Sequence, residues 1–111
     1  MNEKQLSLLG LARRAGRLAL GNEAVTEAIR KGSVRLVVLA ADLSPRTADG
    51  IRRAAEEERL EVLELKASMD ELGMALGKRT GVIAVNDAGF AKKIAALQQE
   101  APAGQREIGG I

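Results

Sequence analysis

The 111-residue chain has no cysteine, histidine, tryptophan or tyrosine, a single phenylalanine and two prolines. Without cysteine there is no disulfide framework, no zinc-thiolate site and no thiol nucleophile, and a reducing, cytoplasmic setting is the natural expectation. Without histidine the commonest general base and the commonest transition-metal ligand are missing, so metal-dependent and nucleophilic chemistry have little to draw on. The lone aromatic, Phe90, falls on the buried stripe of the last predicted helix, which argues against a platform of aromatic rings for stacking single-stranded bases. Apolar residues near the N-terminus are broken by polar ones, so neither a signal peptide nor a membrane span is expected.

What is present suits one domain: 46% apolar and 29% charged residues, enough for a single core and too few for two. The net charge of +2 conceals a pattern. Residues 1–35 hold seven Lys/Arg against three Asp/Glu, residues 36–75 hold five against nine, and residues 76–111 hold five against three. A fold that brings the two ends together has one basic face and one acidic face.

Helix and strand signals alternate. Leu6, Leu8, Leu9, Leu11, Ala12 and Ala15 outline a helix from about Asn2 to Ala15, stopped by Gly16, with Arg13, Arg14 and Arg17 at its end. Leu18–Leu20 reads as a short strand that feeds a second helix through Gly21. That helix has Ala24, Val25, Ala28 and Ile29 on one face and Gly32 as its stop. Leu36–Ala40 is continuously apolar, the pattern of a central strand covered on both sides. Ser44 before Pro45 starts a third helix running to about Arg59, with Glu56, Glu57 and Glu58 on its solvated face. Residues 61–65 form a strand nearer the edge, and Ser68 with Glu71 makes a capping box for a short helix ending at Gly77. Val82–Val85 is the fourth strand, Asp87 caps the final helix, and residues 100–111 lack periodicity and are expected to be a disordered tail. The expected architecture is a three-layer α-β-α sandwich over residues 1–99.

Two tempting constellations fail. Gly73 to Thr80 has the outline of a phosphate-binding P-loop, but three residues instead of four separate its glycines and Arg79 stands where a hydroxyl is required. A helix precedes it and a strand follows, the reverse of the required order. Asp42 and Asp87 follow the two most apolar strands, where α/β enzymes keep carboxylates, yet each precedes a helix and is accounted for as a loop or cap residue.

The Gly21 junction is different. A strand that enters a helix through glycine leaves the first helical N–H groups pointing outward with the positive end of the helix dipole behind them, a ready anion site. Around it the sequence offers Arg13, Arg14, Arg17 and the glycine-bounded segment with Lys78, Arg79 and Thr80. The plain alternative is that Glu23 and Glu27 merely favour the positive end of the helix and that Lys78 and Arg79 sit on a solvated turn.

Five segments in order carry a family resemblance: Leu9-Gly-Leu-Ala-Arg-Arg-Ala-Gly-Arg17, Gly21 through Gly32, Arg35-Leu-Val-Val-Leu-Ala-Ala-Asp42-Leu-Ser-Pro-Arg-Thr47, Glu71-Leu-Gly-Met-Ala-Leu-Gly-Lys78 and Asp87-Ala-Gly-Phe-Ala-Lys92. Together they resemble the bacterial YlxQ-like branch of the kink-turn-binding ribosomal protein superfamily, over nearly the whole chain to Gln99. The resemblance implies an α-β-α sandwich with a mixed four-stranded sheet, no catalysis and no cofactor. It also implies two RNA-binding elements: the glycine-led start of the second helix, which enters the RNA groove, and the loop before the last strand, which covers a bulged nucleotide. On that basis the candidate RNA-binding residues are Arg13, Arg14, Arg17, Gly21, Asn22, Glu23, Thr26, Glu27, Arg30, Lys78, Arg79 and Thr80. The partner expected is structured RNA of the translation apparatus, with ribosomal proteins alongside, and neither a membrane nor a small-molecule substrate.

One departure stands out. RNA-binding relatives follow the leading glycine with Thr-Asn-Glu and place a lysine four residues beyond the Asn. Here the equal spacing of Gly21 and Gly32 puts Glu23 in the Asn place, Ala24 in the Glu place and Glu27 in the Lys place. Ala24 offers no hydrogen bond to a base, and Glu27 repels phosphate. A protein-interaction module that keeps the fold without the RNA site is therefore the alternative.

Overall fold

The computed structural model describes residues 3–98, so the expected tail at 100–111 lies outside the described residues. The elements are α1 (Glu3–Arg14), β1 (Leu18–Leu20), α2 (Asn22–Lys31), β2 (Leu36–Leu39), α3 (Pro45–Glu57), β3 (Val62–Glu64), α4 (Met69–Leu76) and β4 (Val82–Val85), followed by α5 at 88–98. The four strands form one mixed sheet in the order β1-β4-β2-β3, with β4 antiparallel to both of its neighbours and β2 parallel to β3.

Each central strand divides its side chains between two cores. Leu36 and Val38 of β2, with Ile83 and Val85 of β4, face α1, α4 and α5 through Leu9, Leu72, Leu76 and Ile94. Val37 and Leu39, with Val82 and Ala84, face α2 and α3 through Val25, Ile29, Ile51 and Ala55. This is the period-two alternation of a strand between two apolar layers, and it explains why β2 and β4 read as unbroken apolar runs. The expected three-layer sandwich and edge position of β3 are what the structure has.

The helix ends follow from local chemistry. The Ser44 hydroxyl accepts the Thr47 amide ahead of Pro45, and Ser68 and Glu71 exchange side-chain-to-backbone bonds in a complete capping box. Asp87 accepts the Phe90 amide at 2.8 Å and so caps α5. Gly32 and Gly77 close α2 and α4 in the left-handed region that glycine enters without penalty.

Three assignments on helix faces change. Leu11 is 48% exposed and Ala15 is also exposed, because the buried stripe of α1 is Gln5, Leu9 and Ala12. Leu11 lies about 200° around the helix from Leu9. Gln5 takes a position that periodicity reserves for an apolar residue, and its Nε2 donates to the Ile94 carbonyl at 3.2 Å and to Gln98 Oε1 at 3.0 Å, tying α1 to α5. Ala24 is exposed in the first turn of α2, while Val25, Ala28 and Ile29 face inward.

The sheet order also sorts the charge. Pairing of β1 with β4 brings the two basic thirds of the chain together at one edge, while β3 from the acidic middle forms the other edge. No helix among the described residues is long and apolar enough to cross a membrane.

Candidate nucleic-acid interface

At the end of β1 the chain turns into α2 at Gly21, which has φ 98° and ψ 158°. No side chain among the described residues caps this helix. The Gly21 amide is bound to the Val82 carbonyl at 2.9 Å, and the first intrahelical bond runs from the Val25 amide to the Gly21 carbonyl. The amides of Asn22, Glu23 and Ala24 therefore lie in the first turn without an intrahelical acceptor, on residues that are all exposed. Oriented donors at the positive end of a helix favour an incoming anion.

The second element, residues 77–81, is packed into place from two sides. Gly73 of α4 lies so close to the loop that a Cβ there would stand 3.1 Å from the Arg79 Cα. Gly81 is hemmed in by the ends of Leu43 and Met69, 2.7 and 2.9 Å from where its Cβ would be. Arg13 braces the start of the loop by donating from Nη1 to the Leu76 carbonyl, a cation placed at the negative end of α4. Lys78 and Arg79 project outward and are exposed. Lys78 has no ion-pair partner among the described residues. Arg79 donates from Nε to Asp70 Oδ1 at 2.7 Å. That hydrogen bond, and next the Asp70 charge, raise the Arg79 pKa above the ordinary arginine value, with a further contribution from the Asp42 charge.

The two elements meet. Gly21 bonds to Val82, which directly follows the loop, and Leu20 stands opposite Ile83 in the β1/β4 register. On the other side of β4 the Ala40 amide donates to the Gly81 carbonyl at 2.9 Å. The uncapped start of α2 and the cationic loop thus share one end of the sheet.

Other expected residues are distributed differently. The Thr80 side chain is turned inward, 6% exposed, with its hydroxyl donating to the Val82 carbonyl at 3.0 Å, so it supports the loop and presents no hydroxyl at the surface. Arg17 stands at the far end of β1, about 13 Å along the strand from Gly21, and its carbonyl accepts the Asn86 amide beyond the other end of β4. The single basic cluster expected from the sequence is therefore divided, with Arg13 at the loop and Arg17 at the opposite end of β1. Arg14 is exposed in the last turn of α1.

On α2, the Thr26 hydroxyl donates back to the Asn22 carbonyl at 2.8 Å. Glu27 accepts from Arg30 at 3.2 Å and lies 3.8 Å from Lys31, so its charge is balanced within its own helix. Sequence spacing of three and four residues carries that signal. Two residues were not foreseen as part of the site: Asp70, the partner of Arg79, and Gly73, the floor beneath it. Asp42 is a cap, as expected, but for α4: its Oδ1 accepts the Met69 amide at 2.9 Å.

Residues 3–95 match the Ribosomal protein L7Ae/L30e/S12e/Gadd45 family, and the chain belongs to it. It is similar to the RNA-binding protein YlxQ of Bacillus subtilis, 35% identical over 81% of this chain and 90% of that one. It is also similar to the large ribosomal subunit protein eL30B of Schizosaccharomyces pombe, 33% identical over 81% and 79% of the two chains. A solved structure of a Bacillus halodurans protein with unknown function superposes with a TM-score of 0.82 at 40% identity, covering 86% of this chain and 97% of that one.

Proposed function

We propose that this protein binds structured RNA of the translation apparatus, with a kink-turn or internal loop as the preferred shape, and that residues 1–99 form the binding unit. The observation that carries this reading is the junction of the uncapped α2 start with the Lys78/Arg79 loop through the Gly21–Val82 bond. The names of its relatives, an RNA-binding protein and a ribosomal protein, support it. The Asn22, Glu23 and Ala24 amides receive phosphate or base acceptors, and Lys78 and Arg79 approach the backbone beside them. Ribosomal proteins are the expected neighbours, and the cytoplasm is the expected site of action.

The protein acts by binding, without catalysis. Its carboxylates near the strand ends, Asp42 and Asp87, are engaged by the Met69 and Phe90 amides, and the chain supplies no histidine or cysteine to work with them.

The departures at Glu23, Ala24 and Glu27 favour one second reading, a protein-interaction module that has lost the RNA site. Titration of a kink-turn RNA across a range of salt concentrations separates the two. RNA binding through several cations weakens steeply as salt rises, by roughly one unit of logarithmic slope for each phosphate neutralised. Absence of binding even at low salt leaves the protein-interaction module as the reading to pursue.

A further inference from the structure

The Arg79–Asp70 pair raises a question that the RNA-binding reading leaves open, since one of the two outward cations of the loop already holds an anion. Asp70 is the second residue of α4, yet it is not needed to cap that helix. Glu71 Oε1 takes the Ser68 amide, Asp42 Oδ1 takes the Met69 amide, and Ser68 Oγ takes the Glu71 amide. Its carboxylate is thereby left to turn toward the loop. The close approach of Arg79 to Gly73, one turn further along α4, sets the guanidinium where Asp70 reaches it at 2.7 Å. Both side chains are largely exposed, so the pair opens to solvent and to ligand alike.

Resting on the RNA-binding reading, we propose that Asp70 is an internal competitor for Arg79 that limits how tightly the loop holds RNA. It occupies Arg79 within the protein, so that an RNA phosphate takes the guanidinium only when the same RNA also engages the start of α2.

The physical basis is competition at unequal effective concentration. Asp70 is tethered beside Arg79, whereas a phosphate on a generic RNA arrives from bulk solution. An exposed ion pair shifts an equilibrium by only about fivefold at most. That is enough to exclude a weak single contact and too little to exclude a phosphate already tethered by a second contact at Gly21. Lys78, without such a partner among the described residues, contributes to any RNA; Arg79 contributes to the RNA that fits both elements.

The test uses the full-length protein with two probes, a kink-turn RNA and an unbent RNA duplex of equal length. Asp70→Asn keeps an oxygen for Nε and removes the charge; Glu57→Gln on α3 removes one charge elsewhere. Asp70→Asn is expected to tighten kink-turn binding about three- to fivefold at low salt, because an RNA that takes Arg79 must break the pair, and duplex binding by less. The melting temperature should fall by no more than about 8 °C, because an exposed pair is lost and no cap is. In an Arg79→Ala background the gain should vanish.

Equal gains for the two RNAs, a gain no larger than that of Glu57→Gln, a gain that survives Arg79→Ala, or weaker binding by Asp70→Asn would each overturn the proposal. Wild-type protein that binds neither RNA overturns the RNA-binding reading and this inference with it. Wild-type protein that binds and is weakened by Lys78→Ala, but is not tightened by Asp70→Asn, removes this inference alone.

Discussion

The Gly21 amide donates to the Val82 carbonyl at 2.9 Å, and through this one bond the start of α2 is fixed against the strand that leaves the cationic loop. Neither element makes a deep pocket. They are held side by side on rigid supports, one at the end of an edge strand and the other against α4, and on the proposed function an RNA of the right shape meets both at once.

Lys78→Ala with Arg79→Ala should weaken kink-turn RNA binding at least about tenfold and reduce the salt slope by up to about two units. Both residues are exposed, so the melting temperature should be nearly unchanged. Isothermal or fluorescence titration at three salt concentrations checks the claim; unaltered affinity and slope would show the loop to be a bystander.

Gly21→Ala tests the scaffold instead of the ligand. A Cβ at Gly21 meets no atom within 4 Å, so the cost is conformational, arising from φ 98° and ψ 158° that an L side chain rarely adopts. The expected loss is about 1–3 kcal/mol in urea unfolding. A stability equal to wild type would mean that the junction has another backbone shape.

Much of this arrangement was legible in the chain. The Ser44-Pro45 start, the Ser68/Glu71 box and the glycine stops at Gly32 and Gly77 are local chemistry, and each lies where local rules put it. Val82–Val85 and the core of the Leu36–Ala40 run were visible as strands because burial on both faces leaves no polar break. What escaped was long-range or directional. Nothing local pairs Arg13 with the Leu76 carbonyl or turns Thr80 inward. The Asp70–Arg79 contact spans a helix, a glycine stop and a bend, and it depends on the close approach at Gly73, which sequence alone reads only as a glycine.

Glu27→Lys should tighten binding of a kink-turn RNA by about 1 kcal/mol or more at low salt. The structure adds a reason: Glu27 holds Arg30 and Lys31, and its replacement frees both cations while adding a third. Glu57→Lys, at the C-terminal end of α3, serves as the surface control. A gain confined to Glu27→Lys supports groove entry by α2, whereas equal gains would signify generic charge attraction.

Affinity should be flat between about pH 6 and 8.5, since the chain has no histidine, the side chain that ordinarily changes charge in that interval. The pKa of Arg79 is raised in the fold. The stability it gains from its partner is therefore complete below the unfolded arginine value and is lost only as pH climbs through the higher folded one, far above this window. A titration step near neutrality would point to a group outside the interface described above.

The most direct measurement is an amide chemical-shift titration of the isotope-labelled protein with a kink-turn RNA. The account predicts that Asn22, Glu23 and Ala24 shift together with Lys78 and Arg79, along one binding isotherm, while the amides of Arg17 and Arg35 at the far end of the sheet stay in place. Shifts centred on Arg17 and Arg35, or shifts of one element without the other, would contradict the single joined RNA surface.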